Sequence, residues 1–143
     1  SQPVPAGSFQ GAGAMPAARI PAGFDAAGFV KHAKKSFLDL QAANDSGDVS
    51  AIRDFAPDEM FEVLKQDIEA RGPSGQRTDV MTLDADLLEV VTEGGMHWAS
   101  VRFSGLIREA EGDAPERFEE IWNLRKPADG SAGWMLAGIQ QVQ

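Results

Sequence analysis

From residue 25 the apolar positions recur every three or four residues. Ala26, Phe29, Val30, Ala33, Phe37 and Leu40 share one stripe, the spacing of a helix that buries a single face. The pattern predicts a helix over 25–44. Lys31, Lys34 and Lys35 stand on its opposite face, with Leu38 out of place among them. Asn44-Asp45-Ser46-Gly47 ends it, because Gly47 accepts a left-handed stop without steric cost. Asp48 is placed to cap a short second helix, Val49 to Phe55. Pro57 opens a third helix at the position where a missing N–H is harmless. Asp58 and Glu59 follow in its first turn, where the helix dipole favours acids. Met60, Phe61, Leu64 and Ile68 form its apolar stripe, and Gly72-Pro73-Ser74-Gly75 stops it.

Beyond Arg77 the period shifts toward two, the signature of half-buried strands. Thr78 to Thr92 predicts a long first strand, bulged where Leu87-Leu88 breaks the alternation. Glu93-Gly94-Gly95 turns the chain into a second strand, Met96 to Ala110, in which Ala99, Val101, Phe103 and Ile107 alternate with polar residues. A third runs from Glu116 to Lys126 and a fourth from Gly133 to Val142. Helices first and hairpin-linked strands after imply an α+β domain: three N-terminal helices packed on a curved four-stranded antiparallel sheet, a cone with a pocket at its wide end. Residues 1–23 are rich in Gly, Pro and Ala and have no apolar period. They predict a flexible linker, leaving 24–143 as the folded domain.

Composition narrows the chemistry. The 143 residues suit one domain. The absence of cysteine excludes disulfides, thiolate catalysis and zinc-thiolate sites. Net charge is −9, which argues against a nucleic-acid partner. That charge is uneven: before residue 38, Arg19, Lys31, Lys34 and Lys35 face Asp25 alone, so a cationic section precedes an acidic body. No apolar run approaches the ~20 residues that span a bilayer. The chain opens on Ser1 without a signal segment, and it is expected to be the soluble end of a longer protein. His32 and His97 form no metal-ligand pattern, so no metal or other cofactor is expected.

Several strings carry a resemblance. They are Phe29 with Phe37 on the first helix, Gly47-Asp48, Pro57 with Asp58 and Glu59, and Val101 with Phe103. The more specific pair is Phe118, Glu120, Trp122 and Leu124 at alternate positions, then Trp134, Leu136 and Gly138-Ile139-Gln140-Gln141. With these features the chain resembles the Tim44-like domain family: the C-terminal domain of subunit 44 of the mitochondrial inner-membrane translocase, and its bacterial relatives. The Gly-Ile-Gln-Gln ending is similar to the bacterial branch. The resemblance implies the cone fold of nuclear transport factor 2 and a domain associated with the bacterial inner membrane, on a side left open. It implies a non-enzymatic scaffold that contacts anionic phospholipid and holds a membrane protein partner. The segment that binds the import chaperone in the mitochondrial protein has no counterpart here, so chaperone binding does not carry over. Ala56 departs from the Ser or Thr the family often has before the proline.

On this reading Lys31, Lys34 and Lys35 form a basic face for anionic lipid, with Ile20 and Phe24 dipping beside them. The bland alternative is an ordinary solvated helix face. Phe29, Phe37, Phe61, Leu64, Ile68, Phe103, Trp122, Trp134 and Leu136 are the candidates to line an apolar pocket, and most are expected to be plain core. A second function is therefore a binding module for a lipid or other apolar small molecule. A third is a cone-fold isomerase or hydrolase with Glu120 as base, against which stands a simple pair of Glu120 with Arg102 or Arg125. The outer sheet face offers a homodimer contact if Met96 or Trp98 is exposed.

Overall fold

A computed structural model of the chain describes residues 19–71, 78–109 and 112–142. The predicted stop at 72–75 and most of the predicted linker lie outside the described residues. Helix α1 spans Ala26–Ser46. Asp25 starts it, its carboxylate accepting the Gly28 N–H at 2.9 Å. Gly47 ends it at φ 76°, its N–H donating to the Ala43 carbonyl, as the glycine stop predicts. The expected second helix is a 3₁₀ helix, Ser50–Phe55. Six residues are too few for a stable α-helix, and Asp48 pins the turn by accepting both the N–H and the hydroxyl of Ser50. Helix α2 spans Asp58–Arg71. Ala56, just before it, is buried in the core, where a hydroxyl would have to be desolvated.

Four strands follow: β1 (Asp79–Glu93), β2 (Met96–Arg108), β3 (Glu116–Pro127) and β4 (Met135–Gln141). They form one antiparallel meander in the order β1-β2-β3-β4. The bulge foreseen at Leu87-Leu88 appears as a register shift between Leu87 and Glu89. Further shifts lie between Val80 and Thr82 and between Asn123 and Leu124. Each bulge bends its strand and adds twist, so long ribbons curl over the helices. At the first of these bends Gly105 faces β1 so closely that a Cβ there would run into the Thr82 carbonyl.

The concave face carries Leu83, Ala85, Leu87, Val90, Ala99, Val101, Phe103, Trp122, Leu124 and Leu136, and the α1 stripe packs on it. At the centre, the Phe37 ring lies 4.8 Å from Phe103, 5.4 Å from Phe118 and 5.6 Å from Trp122. Burying one such aromatic contributes about 2–3 kcal/mol by area alone, so this cluster is the main tie between helix and sheet. The α+β cone expected from the pattern is the fold observed.

The last part of the expected linker is attached to the sheet. Arg19 bridges Glu89 in parallel, its carbonyl accepts the Val90 N–H at 2.8 Å, and its guanidinium meets the Glu89 carboxylate at 2.7 Å. A Gly/Pro/Ala-rich composition cannot signal this, because the backbone part of the tie has no side-chain mark and the ion pair depends on a partner 70 residues away.

Candidate functional site

Two concavities frame the chemistry. The first is an open groove of about 590 Å³ between α1 and β1. Ile20, Ala26, Ala27, Val30, Ala85 and Leu87 line it, with Lys31, Lys34 and Asp86 at its margin. The α1 helix sets this arrangement. Its buried stripe leaves Ala27, Val30, Lys31 and Lys34 on the flank that turns toward the β1 edge, and Arg19 pins the preceding chain so that Ile20 closes one end. Neither Lys31 nor Lys34 forms an ion pair with a described residue. Asp86, the acid at the groove, lies 3.7 Å from Arg102 on the neighbouring strand.

The other two candidates for lipid contact are placed differently. Lys35 donates to Asp39 at 2.8 Å, one helical turn on. Phe24 turns inward: its ring is 5.7 Å from Phe29 and 6.3 Å from Trp134, edge-on to the latter. It caps the aromatic end of the core, because helix α1 begins just after it and its ring has Phe29 and Trp134 to cover. Of the residues expected to meet lipid, Ile20, Lys31 and Lys34 share the groove, whereas Phe24 and Lys35 lie apart from it.

The second concavity, about 480 Å³, opens at the mouth of the cone. Among the expected pocket residues only Leu64 lines it. Phe29, Phe37, Phe61, Ile68, Phe103, Trp122 and Leu136 are buried members of the core, and half-buried Trp134 stacks edge-on against Phe29 at 5.0 Å. The mouth instead presents Asp45, Asp67, Glu109 and Glu120 with Gln41, Asn44, Thr78 and Gln141, over Leu40, Leu64, Ile107 and Ile139. The sequence does hold a signal for this. The α1 stripe that reads Phe37 and Leu40 turns polar at Gln41 and Asn44. The inward face of β3 likewise sets the polar Glu120 between Phe118 and Trp122, opposite Gln141 of β4.

Among the described residues Glu120 pairs with no arginine. Its Oε1 accepts the Trp122 indole N–H at 2.8 Å, and its Oε2 accepts the Gln141 amide at 3.0 Å. Arg102 lies instead between Asp86 and Glu119, at 3.7 Å from each. Arg125 reaches Glu59 on α2 at 2.7 Å. The backbone N–H of Glu59 itself, in the first turn of α2, holds that carboxyl below the ordinary value of 4.5; burial opposes it, and the hydrogen bond and charge of Arg125 add to the lowering. Among the described residues no group of His, Asp and Glu converges to hold a metal ion.

A curved antiparallel meander capped by α1 and α2, with a groove outside and a polar mouth, is the cone fold of nuclear transport factor 2. The chain belongs to the Tim44-like domain family, whose sequence profile matches residues 11–141. Among solved structures it is similar to the intermembrane space region of the chloroplast protein ARC6, with TM-score 0.51 and 10% identity over 79% of this chain and 95% of that one. A protein from Planctomyces limnophilus DSM 3776 aligns at TM-score 0.44 and 13% identity, covering 81% of this chain and 94% of that one. At 10% identity the likeness to the ARC6 region concerns the fold alone. No curated protein matches the sequence.

Proposed function

We propose that this domain is a non-enzymatic adaptor of the bacterial inner membrane, which rests on anionic phospholipid through the groove between α1 and β1 and holds a membrane protein beside it. The observation that carries the reading is the pair Lys31 and Lys34, one turn apart on α1 and unpaired among the described residues, on the helix wall of an apolar trough. Membership of the Tim44-like family, a membrane-associated family, supports it. Among the described residues no helix is long and apolar enough to cross a bilayer, so contact would be peripheral.

Each lysine near an anionic surface contributes about 1 kcal/mol, within a Debye length of roughly 8 Å at physiological salt. The net charge of −9 opposes approach from other directions, so binding is weak, salt-sensitive and oriented. Aliphatic groups from Ile20 and Val30 then add contact with the acyl boundary. Co-sedimentation with vesicles rich in phosphatidylglycerol and cardiolipin tests this. Binding at low salt that fades at high salt, and is absent on phosphatidylcholine alone, is expected; no binding at low salt contradicts it.

The two other readings find less support. A module for an apolar ligand needs an apolar cavity, and the apolar candidates are packed against one another while the mouth is rimmed with carboxylates. The hydrogen bonds that Glu120 accepts from Trp122 and Gln141 tie it to the fold, and no His, Asp or Glu cluster among the described residues stands with it.

A further inference from the structure

Helix α1 carries a second stripe beside the one it buries. Lys31, Lys34, Leu38, Gln41, Ala42 and Asp45 recur every three or four residues, so they form one line along a flank of the helix. The two lysines stand in the α1–β1 groove. The other four line a second depression, of about 500 Å³, between α1 and the start of β1. Both depressions follow one seam, along which α1 rises about 21 Å from Lys31 to Asp45. Its ends are oppositely charged. Neither Lys31 nor Lys34 forms an ion pair with a described residue, and no described cation pairs with Asp45, whose carboxylate accepts the Thr78 N–H and hydroxyl. The other acids on the seam are matched: Asp86 lies 3.7 Å from Arg102, and Asp79 lies 2.9 Å from Arg108. Leu38 stands midway between Lys31 and Asp45 and is 46% exposed. The stripe is therefore complementary to itself when turned end for end. A copy rotated by half a turn about Leu38 sets its acidic end on the lysines, whereas a parallel copy would set lysine on lysine.

We infer that a second copy of the chain docks on this seam, with the two α1 helices antiparallel across a twofold axis at Leu38. Each leucine covers the other, and Lys31 of each copy meets Asp45 of the other, so one patch serves both partners. The outer sheet face offers less, since Met96 and Trp98 are both half-buried. Exposed ion pairs are weak, so the dimer forms at high protein concentration and dissociates on dilution. The inference goes beyond the membrane reading and stands without lipid. A domain whose lysines rest on phospholipid has this face occupied, so the two contacts exclude each other.

Sedimentation equilibrium of the whole chain at low salt, over a concentration series without vesicles, tests it. A reversible monomer–dimer equilibrium is expected. Lys31→Glu weakens it about tenfold, because the twofold axis makes each change act twice, and Leu38→Glu weakens it further. Val63→Glu, on α2 and 51% exposed, leaves it unchanged. The chain has no cysteine, so Leu38→Cys supplies a single thiol. On oxidation it links two chains through that position, and Val63→Cys does so far less. A monomer at every concentration overturns the inference. So does a dimer that Lys31→Glu and Leu38→Glu leave intact, or one that Leu38→Cys fails to link.

Discussion

Glu120 accepts the indole N–H of Trp122, two residues further along the same strand, at 2.8 Å. Both side chains stand on the concave face of β3, where Trp122 is completely buried. The acid at the rim thereby satisfies the one polar atom of the core's largest residue. Glu120→Ala leaves that N–H without its partner in the sheet, and a loss of about 1–3 kcal/mol is expected. Glu120→Gln keeps an acceptor and loses less. Urea unfolding of the two variants measures the difference, and equal stability in both would remove this structural role.

Phe37 is the keystone of the helix–sheet contact, with three aromatic rings within 6 Å and 1% exposure. Phe37→Ala is expected to cost about 3–5 kcal/mol through lost burial and the cavity left behind. A loss below 1 kcal/mol in the same unfolding assay would mean that the α1 stripe is not seated as described.

Gly105 sits opposite the bulge in β1, and no Cβ fits beside the Thr82 carbonyl. Gly105→Ala should therefore destabilise by about 1–3 kcal/mol, as overpacking does. Gly94→Ala is a useful comparison, since open space surrounds it and only its positive φ, 60°, opposes the change.

The Arg19 tie predicts slow exchange of one amide. The Val90 N–H points away from β2 toward the Arg19 carbonyl, so removing residues 1–23 should speed hydrogen exchange at Val90 while leaving Ala99 and Val101 protected. Unchanged exchange at Val90 would return residues 19–23 to the status of a linker.

Acid should weaken the α2–β3 tie with a defined sign. Glu59 has a folded-state value below 4.5, so its contribution is present in full above 4.5 and is lost as pH falls through the folded value. The stability gap between the parent and Glu59→Gln is expected to be constant near neutrality and to close below pH 4.5. Denaturation midpoints across that range report it.

How much of this was legible in the chain follows from which forces set each element. The α1 stripe, the Gly47 stop and the alternation in the strands are local patterns, and they place α1, the strands and the Leu87 bulge. The bulges at Val80 and Asn123 have no local mark, because register is decided by the partner strand. At the site, Lys31 and Lys34 were visible as charges on a solvent face, but the groove beside them needs Ala85 and Leu87 from a distant strand. Lys35 carries Asp39 one turn on, a spacing that already announces a pair. Phe24 misleads because an aromatic residue before a basic helix reads equally well as a membrane anchor or as a core plug. The polar wall of the cone mouth is harder to read, since the aromatic residues pack into the core and Gln41, Asn44, Glu120 and Gln141 from separate elements meet only in the fold.

The claim on which the account rests is that Lys31 and Lys34, on the α1 wall of the α1–β1 groove, hold the domain to an anionic surface. Partition onto phosphatidylglycerol–cardiolipin vesicles at low salt, compared for Lys31→Gln with Lys34→Gln and for Lys35→Gln alone, measures it most directly. At about 1 kcal/mol for each lysine, the double change should lower partitioning about thirtyfold, and Lys35→Gln, whose charge already faces Asp39, should lower it far less. Partitioning that is indifferent to the double change, or equally sensitive to Lys35, would contradict it.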